Sequence, residues 1–190
     1  MDDFPSSDIA VVGVGNTILS DEGVGVHAVR LLQADRRVPR GVTTLDGGTL
    51  GLELIPYVSA ASRILFLDAM NCGGDPGSLA RLTGKELLDA PGGRSAHQLG
   101  VTDLIAALFL TSSYPQEIVV LGVQPASTDW GTSLSPVVQL ALTPLVEAAL
   151  AQLRAWTQPF GTGENTRARS LEPQESLSPA SLRPAAEGAA

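Results

Sequence analysis

Glu22, Asp68 and His97 have the side-chain types, and fall in the kinds of segment, that could hold one divalent cation. Glu22 lies in the stretch VVGVGNTILSDEGVG, residues 11–25, in which an apolar strand breaks into a glycine-rich turn and presents Asp21 and Glu22 at a helix start. Asp68 ends the apolar run of RILFLDAM, and His97, in SAHQLG, comes just before another helical stretch. Open α/β sheets keep their sites at the carboxyl ends of strands, and these segments are of that kind. Two carboxylates and an imidazole suit a borderline divalent metal, which would polarise a carbonyl or lower the pKa of a bound water.

Each candidate also has a plainer role. Carboxylates favour a helix amino terminus, where they meet free amides and the helix dipole; Asp21 suits that capping role, whereas Glu22 has the longer arm and lies beside Gly23 and Gly25. Asp68 could accept backbone hydrogen bonds in a turn. His97 could be a surface or capping histidine, and His27, between Val26 and Ala28 in the first helix, reads as packing or as support for a neighbouring ligand.

The elements that would position these groups alternate along the chain. Strands are expected at Ile9–Val14, Val42–Leu45, Arg63–Leu67 and Glu117–Val123. Helices are expected at Gly23–Ala34, Gly51–Ala61, Gly100–Thr111 and Ser135–Thr157. Such alternation gives a mostly parallel sheet covered on both faces. Ser135 is a natural N-cap with Pro136 at the first helical position, and Pro144 should kink or split the last helix. A weaker run, Ser78–Thr83 between two glycine-rich stretches, reads as a short edge strand.

Composition bounds the partners. The 190 residues are 44% apolar and only 17% charged, enough for one sizeable core and against global disorder. Twelve basic against twenty acidic residues, a net charge of -8, offer no stripe to neutralise phosphates, so nucleic acid is not an expected partner. One cysteine, Cys72, excludes an intrachain disulfide and a CxxC site and fits a cytoplasmic protein. The terminus MDDFPSSD is acidic where a secretory signal is basic, and no apolar run is expected to reach the length of a membrane span. One globular domain, residues 1–157, is therefore expected. Residues 158–190 turn to Gly, Pro, Ser, Ala and Glu and read as a flexible tail.

Other motifs are weaker. Gly13 and Gly15 begin a dinucleotide fingerprint, but Ile18 takes the place of its third glycine and an acidic pair follows. No GxSxG elbow occurs, and Cys72 reads as a small thiol in a turn after the third strand. LDGGT, Leu45–Thr49, reads as a tight turn in which Gly47 and Gly48 would also let an extended peptide approach the backbone.

Taken in order, GVGNTILSDEGVG, LDGGTLGLEL, FLDAM, SAHQLGVTDLIAAL and VVLGVQPASTDWGTSLSP, from about Ile9 to about Trp156, resemble the nickel-iron hydrogenase maturation endopeptidases. The resemblance implies a three-layer α/β/α sandwich with a five-stranded mixed sheet, mostly parallel with one antiparallel strand, in agreement with the edge strand at Ser78–Thr83. It implies removal of a carboxyl-terminal extension from the hydrogenase large-subunit precursor after nickel insertion, with the nickel carried by the precursor. Glu22, Asp68 and His97 match the metal-contacting, catalytic positions, and Asp46, Gly47, Gly48 and Thr49 match the substrate cleft. A non-catalytic nickel checkpoint that binds the same precursor, and a nucleotide-binding α/β protein, are the alternatives. The tail beyond Gln158 is longer than the family needs.

Overall fold

The strand Ile9–Val14 (β1) is buried along all six of its residues, as a central strand must be when helices cover both faces of its sheet. In the computed structural model residues 8–88, 101–110 and 114–158 are described. Four more strands complete the sheet: Val42–Gly48 (β2), Arg63–Ala69 (β3), Leu79–Thr83 (β4) and Glu117–Val123 (β5). Their order is β2-β1-β3-β5-β4; all neighbours pair in parallel except β4, which runs antiparallel to β5 at the edge.

Alternating side chains from these strands feed two cores. On one face Val11, Leu65, Leu67, Val119 and Leu121 pack with the helices Val24–Ala34 (α1) and Pro136–Thr157 (α5). On the other face Ala10, Val12, Phe66 and Val120 meet Leu54 and Val58, together with Leu104, Ile105 and Leu108 of a further helix, Val101–Phe109. Leu54 and Val58 belong to a 3-10 turn, Gly51–Leu54, and the helical turn Ile55–Val58 (α2) that follows it. Each fully buried leucine or phenylalanine contributes roughly 1.5–3 kcal/mol, so the helices are held chiefly by these faces. The architecture is the three-layer α/β/α sandwich with a mixed five-stranded sheet.

Several boundaries differ from expectation. β3 continues through Asp68 to Ala69, because Asp68 pairs with Gly122 of β5; Asp68 is therefore a strand residue and not the start of a turn. β2 continues to Gly48, with Asp46 opposite Gly13, Gly48 opposite Val14 and Gly47 bulged between them. The turn starts at Gly47, whose carbonyl accepts from Leu50 N–H at 3.0 Å. The helix expected over Gly51–Ala61 stops at Val58, where Ala61 N–H closes a tighter turn onto Val58 O. Gly84–Leu88 (α3) is a helical turn that the sequence reading lacked, and Val101–Phe109 is α4.

α5 runs unbroken for 22 residues through Pro144. Pro144 and Leu140, the residue whose carbonyl loses its helical partner, both lie on the exposed side, so the lost bond does not strand a polar group in the core. By length and composition α5 is apolar enough to cross a membrane, contrary to the sequence expectation. One face of it, from Val138 through Leu142, Leu145, Ala149 and Leu153 to Trp156, is buried in the core beside the sheet.

α1 lies almost on the strand backbones. A Cβ on Gly25 would come within 2.1 Å of Leu67 O and 2.4 Å of Val14 O, and one on Gly13 within 2.2 Å of Gly25 O. Backbone cannot yield as a side-chain tip does, so Gly25→Ala is expected to cost about 3 kcal/mol. A lowered urea midpoint with an unchanged slope is the readout, and a cost below about 1 kcal/mol would show that α1 can rise off the sheet.

Candidate active site

The loop after β1 folds back on itself before α1 begins. Gly15, at φ 133°, donates its N–H to Gly48 O at 2.9 Å, and a Cβ there would sit 1.9 Å from Glu22 O. The close approach returns the chain as a 3-10 turn, Ser20–Gly23, which carries Asp21 and Glu22 and packs against β3. Gly25, which touches Leu67 O, lies three positions after Glu22, and Leu67 precedes Asp68. Glu22 and Asp68 thus come from contacting elements at the carboxyl ends of neighbouring strands.

Both carboxylates are withdrawn from water, Glu22 at 6% and Asp68 at 1% exposure, with Glu22 Oε2 and Asp68 Oδ1 buried. Burial disfavours the charged form and raises the pKa of Glu22 above its ordinary 4.5. His97 lies outside the described residues, as do the residues on either side of it. Among the described residues no three His, Cys, Asp or Glu side chains gather into a metal site. The described donors of a site would be the two carboxylates.

Asp21 departs from its expected role. The N-cap of α1 is Gly23, which makes no side-chain cap, and Asp21 is fully buried. Its carboxylate accepts from Ala126 N–H at 2.9 Å, Ser127 N–H at 3.0 Å, Ser135 N–H at 2.6 Å and Ser135 Oγ at 2.8 Å. Ser135 is in turn the N-cap of α5, accepting from Val138 N–H at 3.4 Å. Asp21 therefore ties the turn that bears Glu22 to the loop after β5 and to the start of α5.

A small cleft of about 140 Å³ opens between the loop after β1, α1 and the end of β2, lined by Gly15, Asn16, Arg30, Asp46, Gly48 and Thr49 among others. Of the four residues expected in a substrate cleft, Asp46, Gly48 and Thr49 line it, while Gly47 is buried against Val12 and Leu54. Asp46 pairs with Arg30, whose Nε donates to Oδ2 at 2.9 Å. Arg30 escaped the sequence reading, since nothing local links it to a residue 16 positions away. His27, one helical turn before it, is half-buried, and its Nε2 has no hydrogen-bond partner among the described residues. Burial, then the Arg30 charge, hold its pKa below 6.5 against the pull of Asp46, which suits a packing histidine.

Cys72 sits in the loop after β3, as expected; its N–H donates to Gln124 Oε1 at 2.9 Å. With Gly15 N–H committed to Gly48 and buried acids ahead of α1, the glycine turn offers no phosphate cradle.

Fold and site define an open-sheet α/β protein with buried carboxylates at the carboxyl strand ends. Within that class the chain belongs to the hydrogenase maturation protease family, whose HycI model matches residues 26–152. It is 39% identical over 151 residues to the hydrogenase expression/formation protein HupM of Azotobacter chroococcum mcd 1, covering 78% of this chain and 72% of that one. It is 35% identical over 148 residues to the hydrogenase 2 maturation protease of Escherichia coli (strain K12), covering 77% and 90%. Its fold is similar to the solved hydrogenase maturating endopeptidase HybD from E. coli, with a TM-score of 0.70 and 34% identity over 78% of this chain and 93% of that one. It is also similar to the hydrogenase maturation protease HybD from Thermococcus kodakarensis, with a TM-score of 0.66 and 26% identity over 76% and 98%.

Proposed function

We propose that this chain is the endopeptidase that removes the carboxyl-terminal extension of a nickel-iron hydrogenase large-subunit precursor, and that it acts once nickel is bound to that precursor. The observation that carries this reading is the pair of buried carboxylates, Glu22 and Asp68, at adjoining strand ends in a member of this family. Nickel is part of the substrate. Glu22, Asp68 and His97 complete its coordination, oxygen and nitrogen donors that suit a borderline divalent ion. Asp46, Gly48 and Thr49 line the cleft that receives the extended peptide, with Gly47 buried behind them and Arg30 holding the Asp46 carboxylate in place.

Held in this way, the metal and the scissile carbonyl are positioned together, which by itself removes much of the entropic part of the barrier. A carboxylate released from the metal then serves as general base toward the attacking water.

The experiment is an intact-mass measurement of nickel-loaded and nickel-free precursor after incubation with the protein. The loaded precursor is expected to lose its extension and the nickel-free one to keep it. Shortening of both would contradict nickel dependence. An unchanged mass for both would replace the protease by a non-catalytic checkpoint.

A further inference from the structure

Trp130 is 82% exposed, an unusual position for the largest apolar side chain, and the loop that carries it is tightly held. Leu19 and Gly131 form a parallel bridge: Ser20 N–H donates to Gly131 O at 2.8 Å and Gly131 N–H to Ile18 O at 3.0 Å. Ser20 Oγ donates to Asp129 O at 2.9 Å, and Ser127 Oγ to Asp129 Oδ2 at 2.9 Å. Gly131 lies close under Ser20, since a Cβ there would come 2.6 Å from Ser20 Oγ. Through Asp21 the same loop is fixed from below at Ala126, Ser127 and Ser135.

The bridge sets Ile18, itself exposed, at the position beside Trp130. An indole and an isoleucine are thus presented to solvent on a pre-ordered platform whose other strand runs straight into Glu22. The backbone that carries the anchor is already held before any partner arrives, and aromatic anchors on pre-ordered backbone are where binding energy concentrates. The rim and Glu22 are thus parts of one hydrogen-bonded segment, which a partner reaching Glu22 would approach.

We propose that Trp130, with Ile18, is the docking anchor for the folded body of the precursor, outside the segment that is cut. This rests on the proteolytic reading above, and the test separates the two. The protein contains two tryptophans, and the other, Trp156, is buried and donates Nε1–H to Glu117 at 2.8 Å. Labelled with fluorotryptophan, the full chain gives two fluorine resonances, one from the rim and one from the core.

Titration of the Glu22→Gln protein with unlabelled nickel-loaded precursor should move the Trp130 resonance saturably and leave that of Trp156 in place. Trp130→Ala should raise the half-saturating precursor concentration for processing about 30-fold, with the loss falling on half-saturation rather than on saturated turnover. An unmoved Trp156 resonance in that variant certifies the fold. A precursor that is shortened with unchanged half-saturation, while the Trp130 resonance stays put, overturns the docking proposal and leaves the protease intact. A Trp130 resonance that moves with the protein's own concentration assigns the patch to a second copy and also overturns it. Failure of the wild type to shorten the precursor, with the resonance still moving, sinks the protease and supports docking.

Discussion

Asp21→Ala should lower folding stability by about 4 kcal/mol, and Asp21→Asn by nearly as much. The buried carboxylate receives four donors from two other parts of the chain, three backbone amides and a hydroxyl. Truncation leaves all four donors, part-buried, around a site shaped for an anion. Each buried donor left without an acceptor costs roughly 1–3 kcal/mol, and partial relaxation keeps the sum below simple addition. Asparagine restores one acceptor but turns an amide group toward N–H donors. Urea denaturation is the direct measurement, and a midpoint shift worth under about 1 kcal/mol would mean that the loop after β5 holds itself. Because the same bonds hold the turn bearing Glu22, processing should fall in these variants even at temperatures where they remain folded.

Glu22→Gln should act in the opposite sense on stability while removing activity. Processing of nickel-loaded precursor is expected to fall by about 10²–10⁴-fold, the range lost when a positioned acid–base group is removed. In the metal-free protein the same change should stabilise at neutral pH. Burial raises the folded pKa of Glu22 above 4.5, so between those values the native state binds more protons than the unfolded one, and stability drops as pH rises through the folded pKa. The glutamine protein escapes that loss. Its advantage should be absent below about pH 4.5, grow as the pH rises and then level off, which paired urea titrations across pH would show. A glutamine protein less stable than the wild type at pH 7 would mean that the carboxylate is held by its neighbours more strongly than burial opposes it.

The sheet was legible wherever burial dictates the residues. β1, β4 and β5 fall at or within a residue of their expected bounds, because runs such as IAVVGV and EIVVLGV are what a two-sided sheet demands. β2 and β3 were read short for one reason: Asp46, Gly47 and Asp68 have poor strand propensity and are extended only because Gly13 and Gly122 pair with them or flank them. α3 did carry a local signal that went unused. Thr83 and Glu86 form a reciprocal capping box, with Glu86 N–H on Thr83 Oγ1 at 3.2 Å and Thr83 N–H on Glu86 Oε2 at 2.7 Å.

Asp21 shows the opposite case. A carboxylate ahead of a helix is a good local cue for capping, but its real partners lie 105 to 114 positions further on, and no window of sequence contains both ends. The placing of Glu22 and Asp68 at strand ends was readable from the apolar runs before them, and the Arg30–Asp46 pair was not. His97 was chosen from sequence and lies outside the described residues.

The central claim, that Glu22 and Asp68 act together on the nickel-bearing end of a hydrogenase precursor, is tested most directly by a single-turnover time course read by intact mass. Nickel-loaded precursor is mixed with excess wild type, Glu22→Gln or Asp68→Asn protein, each first shown to be folded. Loss of the extension is expected with the wild type, with both variants slowed by at least about 100-fold. Shortening by either variant at the wild-type rate would contradict it.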